Sequence, residues 1–126
     1  MRISVELAAE AASVPAARRL VHATLRERHL AELDERVALL VSELVTNAVL
    51  HARSPLRLVL DDHGGCLRVE VSDGSPLPPV AKPFSERAAT GRGMRLVELL
   101  SDGWGVSRID QSGKTIWFEV SLPKAV

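Results

Sequence analysis

Apolar and polar residues alternate at the start of the chain, where Ile3, Val5 and Leu7 interleave with Arg2, Ser4 and Glu6. A period of two predicts a half-buried strand. The period then lengthens. Val14, Ala17, Leu20, Val21, Thr24 and Leu25 share one face of a predicted helix from Val14 to His29. Ser13 is its expected N-cap, and Pro15 is tolerated in its first turn. Asp34 is the next expected N-cap. From Glu35 to about Ala52, the residues Val37, Leu40, Val41, Leu44, Val45 and Ala48 recur at helical spacing. This is the strongest helix signal in the chain.

Alternation returns at Leu56, Leu58 and Leu60, and again at Leu67, Val69 and Val71. The two runs flank a turn over Asp61, Asp62, His63, Gly64 and Gly65, which predicts a hairpin. Pro76, Pro78, Pro79 and Pro83 then break all periodicity, so Gly74 to about Thr90 is expected to be one long loop. Loops of that length in ordered domains are usually functional or mobile. Gly91-Arg92-Gly93 opens a short helix from Met94 to about Ser101, which Gly103 stops. Trp104 to Ile109 and Lys114 to Leu122 predict a final hairpin around a turn at Asp110 to Gly113. Grouped helices and hairpin-joined strands predict an α+β class. The expected architecture is a two-layer sandwich, a mixed and mostly antiparallel sheet with helices packed on one face. A length of 126 residues suits a single domain over 1–126.

Composition narrows the function. The chain is 46% hydrophobic, enough for a packed core. Sixteen basic residues balance sixteen acidic ones, which argues against direct nucleic-acid binding. Cys66 is the single cysteine, so no internal disulfide forms, as befits a reducing compartment. The N-terminal residues lack the apolar run of a signal peptide, and no stretch approaches the ~18 apolar residues of a membrane span. A cytoplasmic protein without membrane contact is the expectation.

The chemistry concentrates at four places. Glu43, Asn47 and His51 are spaced by four on the second helix and line up beside its apolar stripe. Such a polar edge is where a ligand can lie between helix and sheet, although a solvated helix edge has the same spacing. The amide oxygen of Asn47 suits a hard cation, and Mg²⁺ binds largely through water and phosphate oxygens. Glu43, one turn earlier, suits a general base. Asp73 ends an apolar strand, where a carboxylate can accept a hydrogen bond from an exocyclic amine such as that of adenine; a turn-forming Asp before Gly is the plainer reading. Gly91 and Gly93 let backbone approach phosphate at a helix start, with Arg92 and Arg95 adding charge. Ser112-Gly113-Lys114-Thr115 is not a P-loop, because Arg108 stands where that motif needs Gly and a strand follows it. His22, His29, His51 and His63 show no metal-site pattern.

In order, these pieces resemble the superfamily of gyrase, heat-shock chaperone, histidine kinase and mismatch-repair ATPases. Ser42-Glu-Leu-Val-Thr-Asn-Ala-Val-Leu-His-Ala52 is similar to the N box of bacterial anti-sigma-factor serine kinases. Val71-Ser-Asp-Gly-Ser-Pro76 resembles their first glycine box, Gly91-Arg-Gly-Met-Arg-Leu-Val97 the second, and Gly113-Lys-Thr-Ile-Trp-Phe118 their closing strand. Ser75 departs from the Asp-x-Gly-x-Gly pattern of the first box, and Pro78 lies near where a lid would begin.

The resemblance implies a Bergerat ATP-binding fold, with ATP and Mg²⁺ as cofactors. It implies Asn47 as the Mg²⁺ ligand, Glu43 as the base and Asp73 as the reader of adenine. It further implies Gly91, Arg92, Gly93 and Met94 as nucleotide-binding positions, and Thr115 as a support of the adenine site. The implied protein is an ATP-dependent protein-serine/threonine kinase and anti-sigma factor. Its partners are an antagonist (anti-anti-sigma) protein, which it phosphorylates, and a sigma factor, which it sequesters, usually as a homodimer. A non-catalytic ATP-responsive binding module is the alternative; Glu43 favours the kinase, because a pure binder needs no base. A histidine kinase reading is weaker, because Glu43 and Leu50 depart from that pattern and no dimerising helix pair presents a phospho-accepting His.

Overall fold

The computed structural model describes residues 1–52, 54–74, 94–110 and 113–123, with 108–110 described through their backbone. The long loop expected after Gly74 lies outside these residues. In chain order come β1 (Arg2–Leu7), α1 (Ser13–Glu27), a 3₁₀ turn (Ala31–Leu33), α2 (Asp34–His51), β2 (Leu56–His63), β3 (Cys66–Asp73), β4 (Gly103–Asp110) and β5 (Gly113–Ser121). Residues 94–100, ahead of β4, form a further helical stretch, α3. The sheet order is β1-β2-β3-β5-β4, and every pairing is antiparallel. The class is α+β, as the patterning predicts.

Strand alternation decides which face meets the helices. Leu58 and Leu60 of β2, Val69 and Val71 of β3, and Phe118 and Val120 of β5 are fully buried or nearly so, and each points inward. They meet Val21 and Leu25 of α1, and Leu40, Val41 and Leu44 of α2, in one apolar cluster that also takes in Met94 and Val97. At about 1.5–3 kcal/mol per large apolar side chain, this layer is the main source of stability. The opposite face is mixed, with the buried Val59 and the Trp117 ring among charged side chains. There Arg68 reaches Glu70 at 2.9 Å and Glu119 at 3.4 Å, and its guanidinium stacks 4.1 Å from the Trp117 ring centroid. The indole lies over Gly105, where an added Cβ would sit 3.0 Å from the ring. A thin, glycine-containing β4 therefore suits the sheet edge, while β5, apolar on its inner side, takes the place next to β3.

The hairpin turn is tighter than expected. His63 pairs with Cys66, leaving Gly64 and Gly65 as a two-residue loop with φ of 57° and 80°. Positive φ at both positions is what a type I′ turn demands, and only glycine adopts it freely. The helix starts also differ from expectation. Ala12 stands at the cap of α1, and the Ser13 hydroxyl donates back to Ala8 O at 2.6 Å rather than capping. Asp34 opens α2 as its first helical residue, and its carboxylate meets Nδ1 of His22 at 2.5 Å, tying α2 to α1. With Glu35 it places negative charge in the first turn, where the helix dipole favours it. At the far end of the sheet, the Ser121 backbone N–H donates to Asp102 at 2.7 Å and holds that carboxyl below its ordinary range.

Gly113 starts β5 at φ 137°, and a Cβ built there overlaps the carbonyl oxygen of Asp73. Gly113→Ala is therefore expected to cost about 1–3 kcal/mol from backbone strain alone, with further loss from parting β3 and β5. A urea midpoint unchanged from wild type would show that the strand ends are not in this close register.

Candidate functional site

α2 sets the first half of the site. Leu44 and Ala48 are buried in the core and fix the rotation of the helix. Glu43 and Asn47 then follow one another along a single edge. Asn47 is 7% exposed, and its amide nitrogen finds no hydrogen-bond partner among the described residues. A buried unpaired donor costs roughly 1–3 kcal/mol, so one in a native helix needs an explanation. A phosphate oxygen would supply the missing acceptor, and the amide oxygen remains for a hard cation. Glu43 is half-buried and lines a groove of about 480 Å³ between α1 and α2, with Arg18, His22, Glu35 and Ser42 among its walls. Among the described residues no three His, Cys, Asp or Glu side chains gather to hold a metal. The donor set on α2 fits Mg²⁺, which takes few protein ligands and completes its shell with water and phosphate.

The second half is the end of β3. Asp73 lies on its inner face, 7% exposed; a depression of about 340 Å³ at this end of the sheet is walled by Glu6, Arg57 and Ser72 of the outer face together with Ser54, Pro55 and Gly74. Gly74 N–H donates to the Ser54 hydroxyl at 2.8 Å, which fixes the chain as it leaves the strand. Directly across the ladder stands Lys114. Its ammonium lies 3.1 Å from Asp73 Oδ1 and 3.0 Å from Oδ2. Thr115 comes one residue later, so its side chain leaves on the other face. Its hydroxyl shares a 2.8 Å hydrogen bond with Ser72 and braces the two strands just before Asp73.

Glu43 and Asn47 thus share a helix edge, while Asp73 meets Lys114 and not Thr115. Met94 is 5% exposed and packs in the core cluster. Gly91, Arg92 and Gly93 lie outside the described residues. Lys114 is the polar residue that the sequence reading did not place in the site. Its parity with Ile116, Phe118 and Val120 was the available signal.

The site stands on an antiparallel sheet backed by helices, with Asn47 buried on a long helix and Asp73 buried at a strand end. The chain belongs to the histidine kinase-like ATPase domain family, whose model matches residues 7–120. A solved structure of the RsbU and RsbW domains of Rv1364c from Mycobacterium tuberculosis is similar over 100% of this chain and 34% of its own, with a TM-score of 0.76 and 18% identity. That likeness is one of fold. The histidine kinase domain of the Erythrobacter litoralis EL346 blue-light activated histidine kinase matches 73% of this chain and 46% of its own, with a TM-score of 0.54 and 28% identity. This chain therefore spans less than half of either matched structure. No curated protein matches it. No described helix is long and apolar enough to cross a membrane.

Proposed function

We propose that the chain is an ATP- and Mg²⁺-dependent protein-serine/threonine kinase that acts in the cytoplasm as an anti-sigma factor. Its substrate is a serine of an antagonist protein, and its regulatory target is a sigma factor. In this reading the serine hydroxyl attacks the γ-phosphorus of ATP, Glu43 takes the hydroxyl proton, and ADP leaves. Bound Mg²⁺ would neutralise phosphate charge. Asn47 orients that end of the nucleotide, and Asp73 accepts from the adenine amine. Thr115 supports the adenine site through Ser72, and Gly91, Arg92 and Gly93 complete the phosphate side. Met94 would contribute through the core packing that anchors α3.

The observation that carries the nucleotide half is the buried, unpaired amide of Asn47 one turn beyond Glu43. The anti-sigma half is supported by the likeness of 42–52 to the N box of those kinases. Calorimetry tests the first half. Asn47→Ala is expected to weaken binding of ATP in the presence of Mg²⁺ by about tenfold or more, the value of one charge-assisted hydrogen bond, with the domain still folded. Removing Mg²⁺ should bring wild type close to the variant. Identical affinities with the metal present would take Asn47 out of the site.

A further inference from the structure

The two edges of the sheet differ. β4 carries a register shift between Val106 and Arg108, an irregularity that spoils an edge for further pairing. β1, the other edge, pairs with β2 without interruption from Arg2–Asp61 to Leu7–Leu56. The Asp62 N–H donates to Met1 O at 3.2 Å, which fixes the phase of that ladder. Hydrogen-bonded and non-hydrogen-bonded pairs alternate in an antiparallel ladder. Ile3, Val5 and Leu7 therefore turn their backbone groups toward β2. Arg2, Ser4 and Glu6 point their N–H and C=O groups out from the edge, where no described strand meets them.

This edge is self-complementary in one register. Two antiparallel copies of β1 can exchange hydrogen bonds only where outward residues face outward residues. Setting Ser4 against Ser4 of a second copy places each Arg2 opposite the other chain's Glu6, which gives two cross-strand ion pairs related by a twofold axis. Registers centred on Arg2 or on Glu6 bring like charges together, and the intermediate ones set a charge against Ser4 and shorten the overlap. On the inner face the favoured register places the half-buried Ile3 against Val5 of the second copy. Arg2 lies 3.3 Å from Asp61, yet its side chain is 61% exposed and its guanidinium carries five donors, enough for a second carboxylate.

We propose that the β1 edge is a homodimer interface, at which two copies of this chain join their five-stranded sheets into one, Arg2 to Glu6 about a central pair of Ser4 residues. The proposal is independent of the ATP reading, and it names a surface for the homodimer that the N-box resemblance implies. The strand is already extended, so pairing satisfies its free backbone groups with little further ordering.

Sedimentation of the whole chain tests it. A short strand pairing belongs with small, reversible interfaces, so wild type is expected to dimerise as its concentration rises. Arg2→Glu and Glu6→Arg should each weaken dimerisation by about tenfold or more, because each sets like charges at both pairs. An equimolar mixture of the two variants should dimerise again, since their chains meet with opposite charges at both pairs. A wild type that stays monomeric up to ~1 mM, variants that dimerise as well as wild type, or a mixture no better than either variant alone overturns the proposal. Hydrogen exchange at the Ser4 amide should slow as wild type dimerises. Exchange at Ser4 that is the same in monomer and dimer also overturns the proposal, and that measurement needs no variant.

Discussion

Glu43→Gln is expected to lower phosphoryl transfer to the antagonist by roughly 10²–10⁴-fold, the range of a positioned general base, while nucleotide affinity stays close to wild type. Glutamine keeps the shape and hydrogen bonding of the side chain and loses the ability to take a proton. Glu43 sits at the wall of an open groove rather than in the core, so the change removes no buried contact. Asn47, one turn on, keeps its place because Leu44 and Ala48 hold the helix against the sheet. Binding and chemistry should therefore separate. Single-turnover transfer with labelled ATP gives one number and calorimetry the other. Equal transfer rates in wild type and variant would remove Glu43 from the mechanism. Absence of transfer in both, with ATP still bound, would favour a module that binds a partner in response to ATP without phosphorylating it.

Much of this architecture is legible in the residue pattern, and the parts that are not have physical reasons. Alternation in 67–71 marks a strand because one face is buried against helices; in 2–7 the inner face is only half-buried through Val5 and Leu7, and in 56–60 Val59 is buried on the outer face as well. The helical period of 37–48 marks α2 for the same reason. Helix starts were harder, since Ser13 is as able to bond backward to Ala8 as to cap α1. Strand order is a long-range property. Two hairpins read from the chain do not say which strand of the second joins the first, and β5 rather than β4 does so. The contact of Arg68 with Glu119 spans 51 positions and leaves no local trace. In the site, Asn47 and Asp73 stand out because a helix edge and a strand end are exposed by their own periodicity. Lys114 was readable by the same rule. A lysine beside glycine suggests a solvated turn, yet two residues on begins the inward series of Ile116, Phe118 and Val120. Parity outweighed composition there.

Breaking the Asp73–Lys114 pair from one side is expected to cost about 3–5 kcal/mol of folding stability. Both side chains are out of water, so Asp73→Asn leaves the Lys114 ammonium without this carboxylate, and Lys114→Met removes the buried cation that Asp73 meets. The uncompensated ion rather than the lost bond sets the size of the effect, because a surface pair is worth only about 0–1 kcal/mol. For a domain whose total stability is typically about 5–15 kcal/mol, either single change is severe. Removing both charges should behave differently. Asp73→Leu with Lys114→Met replaces the pair by apolar side chains in a site already bordered by Val71 and Ile116, and such replacements are often neutral or stabilising. The double variant should therefore recover most of the loss while binding nucleotide poorly, since the acceptor proposed for the adenine amine is gone. Urea denaturation of the four proteins completes the cycle. Single variants within about 1 kcal/mol of wild type would show that the pair is solvated in solution, and a double variant as unstable as the sum of the singles would show that the two residues act independently.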